Sequence, residues 1–231
     1  MPAEEAEDEA TPTNTHETNG RGRALVFAGG EMHRSPTEVD WDLVVAADSG
    51  YDHALSAGLH VDLIVGDLDS ISSKGLAHAR AAGVTIEEHP MAKDETDFEL
   101  ALRAVALRGF GRIVVHGGEG GRLSHLLSLA LSLADARWVA MDVRWRTAQG
   151  VVRAVTPTRP IVIHGAPADL VSLLPAGDVQ GVSTTGLRWK LDHDDLRLGT
   201  TRGLSNEMTG TRATVSVADG AVIVITEGSN G

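Results

Sequence analysis

Between residues 23 and 142, short and almost wholly apolar runs alternate with stretches of helical periodicity, and this alternation constrains the chain more than any other feature. The runs at 25–28, 43–47, 63–65, 84–88, 113–116 and 138–143 read as strands. Several lack the polar alternate residues of a half-exposed strand, so they need cover on both faces. The intervening segments supply it. After Asp94, Phe98, Ala101, Leu102 and Val105 recur at i, i+3, i+4, i+7, with Glu99 and Arg103 placed to pair at i, i+4 on the other side. Further helices are expected over 72–82 and 123–133. Strand and helix in repetition specify an α/β fold, an open and mostly parallel sheet with flanking helices.

After Gly150 the pattern changes. Runs at 151–155, 161–164, 170–174, 179–184, 213–217 and 221–226 are separated by Pro157, Pro160, Pro167, Pro175, Gly177, Gly186, Gly199 and the turn Asp219-Gly220. No amphipathic helix intervenes, which predicts a smaller all-β, sandwich-like domain. The reading divides the chain into 21–148 and 149–231, with a linker over 144–157. Residues 1–20 carry Glu4, Glu5, Glu7, Asp8, Glu9 and Glu17 and no Lys or Arg. Such a segment buries too little apolar area to offset its ordering entropy, and a disordered acidic tail is expected.

Composition excludes several classes. Without cysteine there is no disulfide, thiolate metal site or cysteine nucleophile. Asp and Glu number 32 against 20 Lys and Arg, a formal charge of −12 that leaves no broad cationic surface for nucleic acid. No apolar run approaches the roughly 20 residues that span a bilayer, and the N-terminal segment is acidic where a signal peptide is basic and then apolar. The sequence therefore reads as soluble and cytoplasmic, with neither nucleic acid nor membrane as a partner.

In an open α/β sheet, ligands bind outside the carboxyl ends of the strands, where loops leave and helix N-termini point. Here nearly every such end carries polar chemistry. The first run ends in Gly29-Gly30, the second in Asp48-Ser49-Gly50 and the third in Gly66-Asp67-Leu68-Asp69-Ser70. The fourth leads to Lys93-Asp94-Glu95-Thr96-Asp97, and the fifth to Gly117-Gly118-Glu119-Gly120-Gly121-Arg122. Asp67 and Asp69, two apart past a buried strand, are spaced to converge on a hard cation such as magnesium, which takes one or two carboxylates together with substrate phosphates. The alternative is a turn in which Asp69 or Ser70 caps the next helix, and Asp94 or Asp97 serves the same routine use at the helix after that. Lys93 among the carboxylates suits a site matching metal and polyphosphate. Glycines let backbone N–H groups approach phosphate oxygens, with Arg122 as a bidentate clamp, although the same run also fits a plain strand-to-helix turn. It matches neither GxxxxGK[ST] nor GxGxxG.

Taken together these segments resemble the thiamine pyrophosphokinases (thiamine diphosphokinases). That family carries an aspartate near a glycine after the second strand, a GDxDS loop, a [KQ]DxTD segment, a GGxGGRxDH loop and a C-terminal SNE. Here they read Asp48-Ser49-Gly50, Gly66 to Ser70, Lys93 to Asp97, Gly117 to His125, and Ser205-Asn206-Glu207. The segment from Gly186 to Leu191, with Trp189, resembles the family's GLxWxL. The likeness runs in order from about residue 23 to 225. It implies transfer of the pyrophosphoryl group of ATP to the hydroxyethyl oxygen of thiamine, with magnesium, giving thiamine diphosphate and AMP in a homodimer. Carried over, Asp67, Asp69 and Asp97 would hold the metal, with Asp48, Lys93, Asp94, Thr96, Gly117, Gly118, Gly120, Gly121 and Arg122 around the polyphosphate. Trp189 would stack on thiamine in the partner subunit's site, with Ser205 and Asn206 nearby.

Two positions depart from the pattern. Ser124 stands where the GGRxDH motif has its acid, and Leu129 replaces the asparagine four residues after the histidine. A serine can make one hydrogen bond there but supplies no charge. The departures keep two other outcomes in view, a different hydroxyalkyl acceptor such as a pterin, or a catalytically weakened homologue that binds nucleotide or thiamine. His125 is a candidate general base, with a packed or capping histidine as the alternative. Trp189 has an ordinary core aromatic as its alternative. The helix over 123–133 is apolar on most sides and needs cover from its own sheet or from a second subunit.

Overall fold

The computed structural model describes residues 22–38, 40–92 and 94–228; the acidic segment 1–20 and Lys93 lie outside them. Six parallel strands, β1 (Arg23–Phe27), β2 (Leu43–Ala47), β3 (Leu63–Gly66), β4 (Thr85–Glu88), β5 (Arg112–His116) and β6 (Asp142–Arg146), lie in the spatial order β6-β5-β1-β2-β3-β4. Residues of β1 alternate between two cores. Ala24 and Val26 face α3 (Asp97–Leu107) and α4 (Leu123–Ser132), whereas Leu25 and Phe27 face α1 (Gly50–Ser56) and α2 (Ser73–Ala81). Burial on both faces is the physical reason β1, β2 and β3 contain almost no polar residue.

Local chemistry sets the helix starts. The Ser72 hydroxyl accepts the Gly75 N–H at 2.9 Å and starts α2. Thr96 and Glu99 form a reciprocal capping box at α3, the Thr96 hydroxyl accepting the Glu99 N–H at 3.2 Å and the Glu99 carboxylate accepting the Thr96 N–H at 3.0 Å. The caps are therefore Ser72 and Thr96, not the neighbouring aspartates. Glu99 pairs with Arg137 at 2.6 Å while Arg103 turns to Glu95, which replaces the Glu99–Arg103 pair read from spacing.

The sheet does not stop at the sixth strand. β7 (Gly150–Val155) pairs antiparallel with β6 in the register Trp145↔Val152 and Arg146↔Val151. Beyond β7 follow β14 (Val222–Glu227), β9 (Leu170–Pro175) and β12 (Asn206–Glu207), making ten strands in all. The expected linker over 144–157 is thus part of the sheet. The strand expected at 138–143 lies at Asp142–Arg146, after a 3-10 turn at Ala136–Trp138 that buries Trp138. Val143 and Trp145 enter the core while the charged alternates are paired: Asp142 with Arg144 at 2.7 Å and Arg153 at 2.8 Å, and Arg146 with Glu38 at 2.7 Å. Charge that suggests an exposed connection is neutralised within the strands.

A second, four-stranded antiparallel sheet, in the order β11 (Asp194–Leu196), β10 (Val179–Thr185), β13 (Arg212–Ser216), β8 (Ile161–His164), packs on the β7-β14-β9 end of the large one. Val222 and Val224 of β14 join the core between the sheets, and Ile223 joins the core that holds Leu129 and Trp145. The smaller β unit therefore shares a strand with each core, which makes it a sandwich built on the edge of the α/β sheet.

Candidate active site

The strand order turns at β1, with β2 on one side and β5 on the other. Loops leave in opposite directions at such a switch point, and a crevice opens at the carboxyl ends. A cleft of about 730 Å³ lies there. Gly29 and Gly30 after β1, Asp48 after β2, Asp67 after β3, Thr96 and Asp97 at the start of α3, and 118–122 after β5 all line it.

Asp48, Asp67 and Asp97 each offer a carboxylate oxygen, and these oxygens lie within 4.8 Å of one another. Local structure imposes this convergence. Asp48 is 5 % exposed, and its carboxylate accepts the Ser70 and Ile71 N–H groups, both at 3.1 Å, which ties the loop after β3 to the end of β2. Burial pushes the Asp48 carboxyl above its usual range, with the Asp97 charge acting in the same direction and the Ser70 and Ile71 hydrogen bonds against it. Gly66 has φ +152°, and a Cβ there would stand 3.1 Å from the Asp48 Cβ and 3.2 Å from the Asp97 carboxyl carbon. Only glycine lets the two acids approach across β3.

The expected metal set was Asp67, Asp69 and Asp97; the geometry groups Asp48 with Asp67 and Asp97 and leaves Asp69 outside. Leu68 at φ +64° turns the chain between the two acids, and Asp69 is exposed, accepting the Ser70 hydroxyl at 2.8 Å. Asp94 is exposed and does not line the cleft. Three hard oxygen donors without nitrogen or sulfur fit magnesium, which prefers that donor set.

Across the cleft the glycine loop is held flat against β1. The Gly118 N–H donates to Gly29 O at 2.6 Å, and the Trp145 indole N–H to Gly117 O at 2.7 Å. Gly120 and Gly121 are exposed, and Arg122 is the residue immediately before α4. Ser124 and His125, in the first turn of α4, are exposed and line the cleft, so His125 is not a packed core histidine. Leu129 is buried beside Gly118, where a Cβ would collide with its methyl group.

Trp189, Ser205 and Asn206 form a separate group that does not line the cleft. The Asn206 amide accepts the Trp189 N–H at 3.0 Å and donates to Trp189 O at 2.7 Å. The Trp189 ring is 52 % exposed beneath the Arg188 guanidinium, 5.0 Å from the ring centre, which removes the core-aromatic alternative. Ser205, at φ +51°, donates its N–H to the Ser172 hydroxyl at 3.1 Å. Sequence reasoning passed over Glu119, the one residue with a side chain among the loop glycines and a buried one; an acid interrupting a glycine run was the available signal.

Comparisons with known proteins agree with this geometry. Residues 38–143 match the family model described as thiamin pyrophosphokinase, catalytic domain, and 161–222 match thiamin pyrophosphokinase, vitamin B1 binding domain. The thiamine pyrophosphokinase of Bacillus subtilis is 26% identical over 205 residues, covering 87% of this chain and 96% of that protein. Its crystal structure superposes with a TM-score of 0.78 over 90% of this chain and 99% of that one, at 25% identity. A thiamin pyrophosphokinase family protein of Enterococcus faecalis gives 0.77 at 26% identity, over 90% of this chain and all 100% of that one. The yeast thiamin pyrophosphokinase, 17% identical, shares the fold at 0.69, covering 92% of this chain and 88% of its own. With both family models matched in chain order across the two sheets, this chain belongs to the thiamine pyrophosphokinase family.

Proposed function

We propose that the cleft at the carboxyl edge binds ATP with magnesium and that the chain transfers the pyrophosphoryl group to the hydroxyethyl oxygen of thiamine, giving thiamine diphosphate and AMP. The observation that carries this reading is the convergence of Asp48, Asp67 and Asp97 within 4.8 Å, facing a glycine loop across one cleft. Asp67 and Asp97 would hold magnesium with Asp48, and the metal, when bound, supplies neutralisation of the charge on the phosphates. The chain's own residues supply the rest. The N–H groups of Gly120 and Gly121 and the Arg122 guanidinium bind phosphate oxygens, and the N-terminus of α4 favours negative charge there. Thr96, bound to Glu99 in the capping box, fixes the start of α3 and with it the position of Asp97. Ser124 and His125 border the cleft where they can orient the acceptor hydroxyl, and His125 can take its proton. Positioning and charge matching do most of the work in such transfers. Lys93 and Asp69 remain candidates beside this group.

The part 21–148 would then bind ATP and metal, and 149–231 would contribute acceptor binding and dimerisation. Trp189, exposed and braced by Asn206, would stack on thiamine in a partner protomer's site. Leu123, Leu127 and Leu131 form an exposed apolar stripe on α4 at i, i+4, i+8, the cover for which would be a second copy of the chain. Leu127→Lys should then shift the protein toward monomer in sedimentation velocity. Incubation of the purified chain with ATP, magnesium and thiamine should yield AMP and thiamine diphosphate in equal amounts; neither product at high enzyme concentration would overturn the proposal. A panel containing a hydroxymethyl pterin checks the acceptor.

A further inference from the structure

Glu119 interrupts the glycine run, and its side chain goes inward whereas Gly120 and Gly121 face solvent. It is 6 % exposed. Its Oε1 accepts the N–H of Ala148, in the turn between β6 and β7, at 2.8 Å. Its backbone exchanges two hydrogen bonds with Glu31, the Glu31 N–H donating to Glu119 O at 2.7 Å and the Glu119 N–H to Glu31 O at 3.1 Å. One residue thus joins the loop after β1, the glycine loop and the turn that leads into the β half.

Gly117, Gly118, Gly120 and Gly121 all have positive φ, conformations open to glycine at the expense of a large backbone entropy when they are fixed. Four such residues cannot hold one another, having no side chains. The other oxygen, Oε2, is buried with no hydrogen-bond partner among the described residues. A buried acceptor left unsatisfied is destabilising, so stability alone does not account for a glutamate at this point.

We infer that Glu119 is a positioning residue for nucleotide binding: through Ala148 it registers the glycine loop against the β6–β7 turn, so that the loop N–H groups are aimed at the phosphates before the nucleotide arrives. The inference rests on the reading of the cleft as the nucleotide site. Loss of the anchor lets the glycines sample other conformations, and the penalty appears at the step that orders them.

Steady-state kinetics on the full chain, varying ATP with magnesium at saturating thiamine and then thiamine at saturating ATP, separates the possibilities. Glu119→Gln keeps an acceptor oxygen for Ala148. Glu119→Asp keeps the charge but withdraws the oxygen by one methylene, and Glu119→Ala removes both. The KM for ATP should rise about tenfold in the Ala and Asp variants, with kcat within about threefold and the thiamine KM unmoved, and Gln should restore the ATP KM to within about threefold of the parent. The inference fails if Asp behaves as the parent and Gln as Ala, if no variant moves the ATP KM, or if kcat and both KM values deteriorate together. Turnover by the parent chain tests the underlying reading separately. Should Glu119→Ala not fold, the Gln and Asp pair alone decides.

Discussion

Asp48, buried at the cleft, and Asp142, partly buried at the seam between β6 and β7, are both carboxylates at strand ends, and the protein treats them in opposite ways. Around Asp48, burial and the charge of Asp97 push the carboxyl above its usual range. Around Asp142, burial pushes in the same direction, but the Arg153 and Arg144 guanidinium groups outweigh it and hold the carboxyl below that range. Asp48 has a like charge, Asp97, beside it, and the seam pairs charges of both signs. At the cleft, burial and a like charge act together on one acid, whereas at the joint between the two sheets guanidinium groups outweigh burial. The difference teaches that neighbouring charge, more than burial, decides how an acid is held in this fold.

The comparison breaks most readily at the cleft. Asp67→Asn should lower kcat by about 10³-fold while leaving the denaturation midpoint unchanged or higher, because one of three converging charges has gone. A large loss of stability in urea titration would mean that the acids support the fold instead.

At the seam the opposite is expected. Asp142→Asn leaves Arg153 buried without its carboxylate and should lower stability by about 3 kcal/mol in urea denaturation, with kcat of the folded fraction nearly unchanged. The sign with pH follows from the depressed pKa. Stabilisation by Asp142 is fully present above the unfolded carboxyl value of about 3.9 and is lost as pH falls through the lower folded value. The gap between parent and variant should therefore close on acidification below about pH 4.

Magnesium sharpens the contrast from the cleft side. At about 100 times its Kd the ion should add about 2.7 kcal/mol to the parent, seen as a rise in Tm, and appreciably less to Asp67→Asn. Asp142→Asn should keep the whole increment despite its lower starting point. The smallest effect belongs to Arg144, whose side chain is 48% exposed against 15% for Arg153. Arg144→Ala should change stability by about 0.5 kcal/mol or less, since exposed pairs contribute little. A loss as large as that of Asp142→Asn would show that Arg144, and not Arg153, carries the seam.

Much of the carboxyl edge was legible in the sequence. The apolar runs that become β1, β2, β3 and β5 end where chemistry begins, so Gly29, Asp48, Asp67 and Gly117 could be placed on one rim without coordinates. Which acids meet was not legible. Asp67 and Asp69 form the obvious pair by spacing, yet a left-handed Leu68 turns Asp69 outward, and Asp48 enters from the neighbouring strand. The seam was misread for a related reason. Arg144 and Arg146 fall in the expected linker over 144–157, but Arg144 pairs with Asp142 and Arg146 with Glu38, 108 residues away. Trp189 belonged to the expected site by resemblance, but within one protomer it stands in a different group from the cleft residues.

By itself the sequence determined the alternation of strand and helix, because the apolar faces of strands such as β1 and of helices such as α3 need only a nonspecific apolar environment; the caps at Ser72 and Thr96 and the bounds of β6 came from the structure. Tertiary structure alone decided that β5 lies beside β1, that Asp48 joins Asp67 and Asp97, and that one sheet runs from β4 to β12. Strand order and converging charge depend on contacts between residues far apart in sequence, whose free energy exists only once the whole sheet has formed.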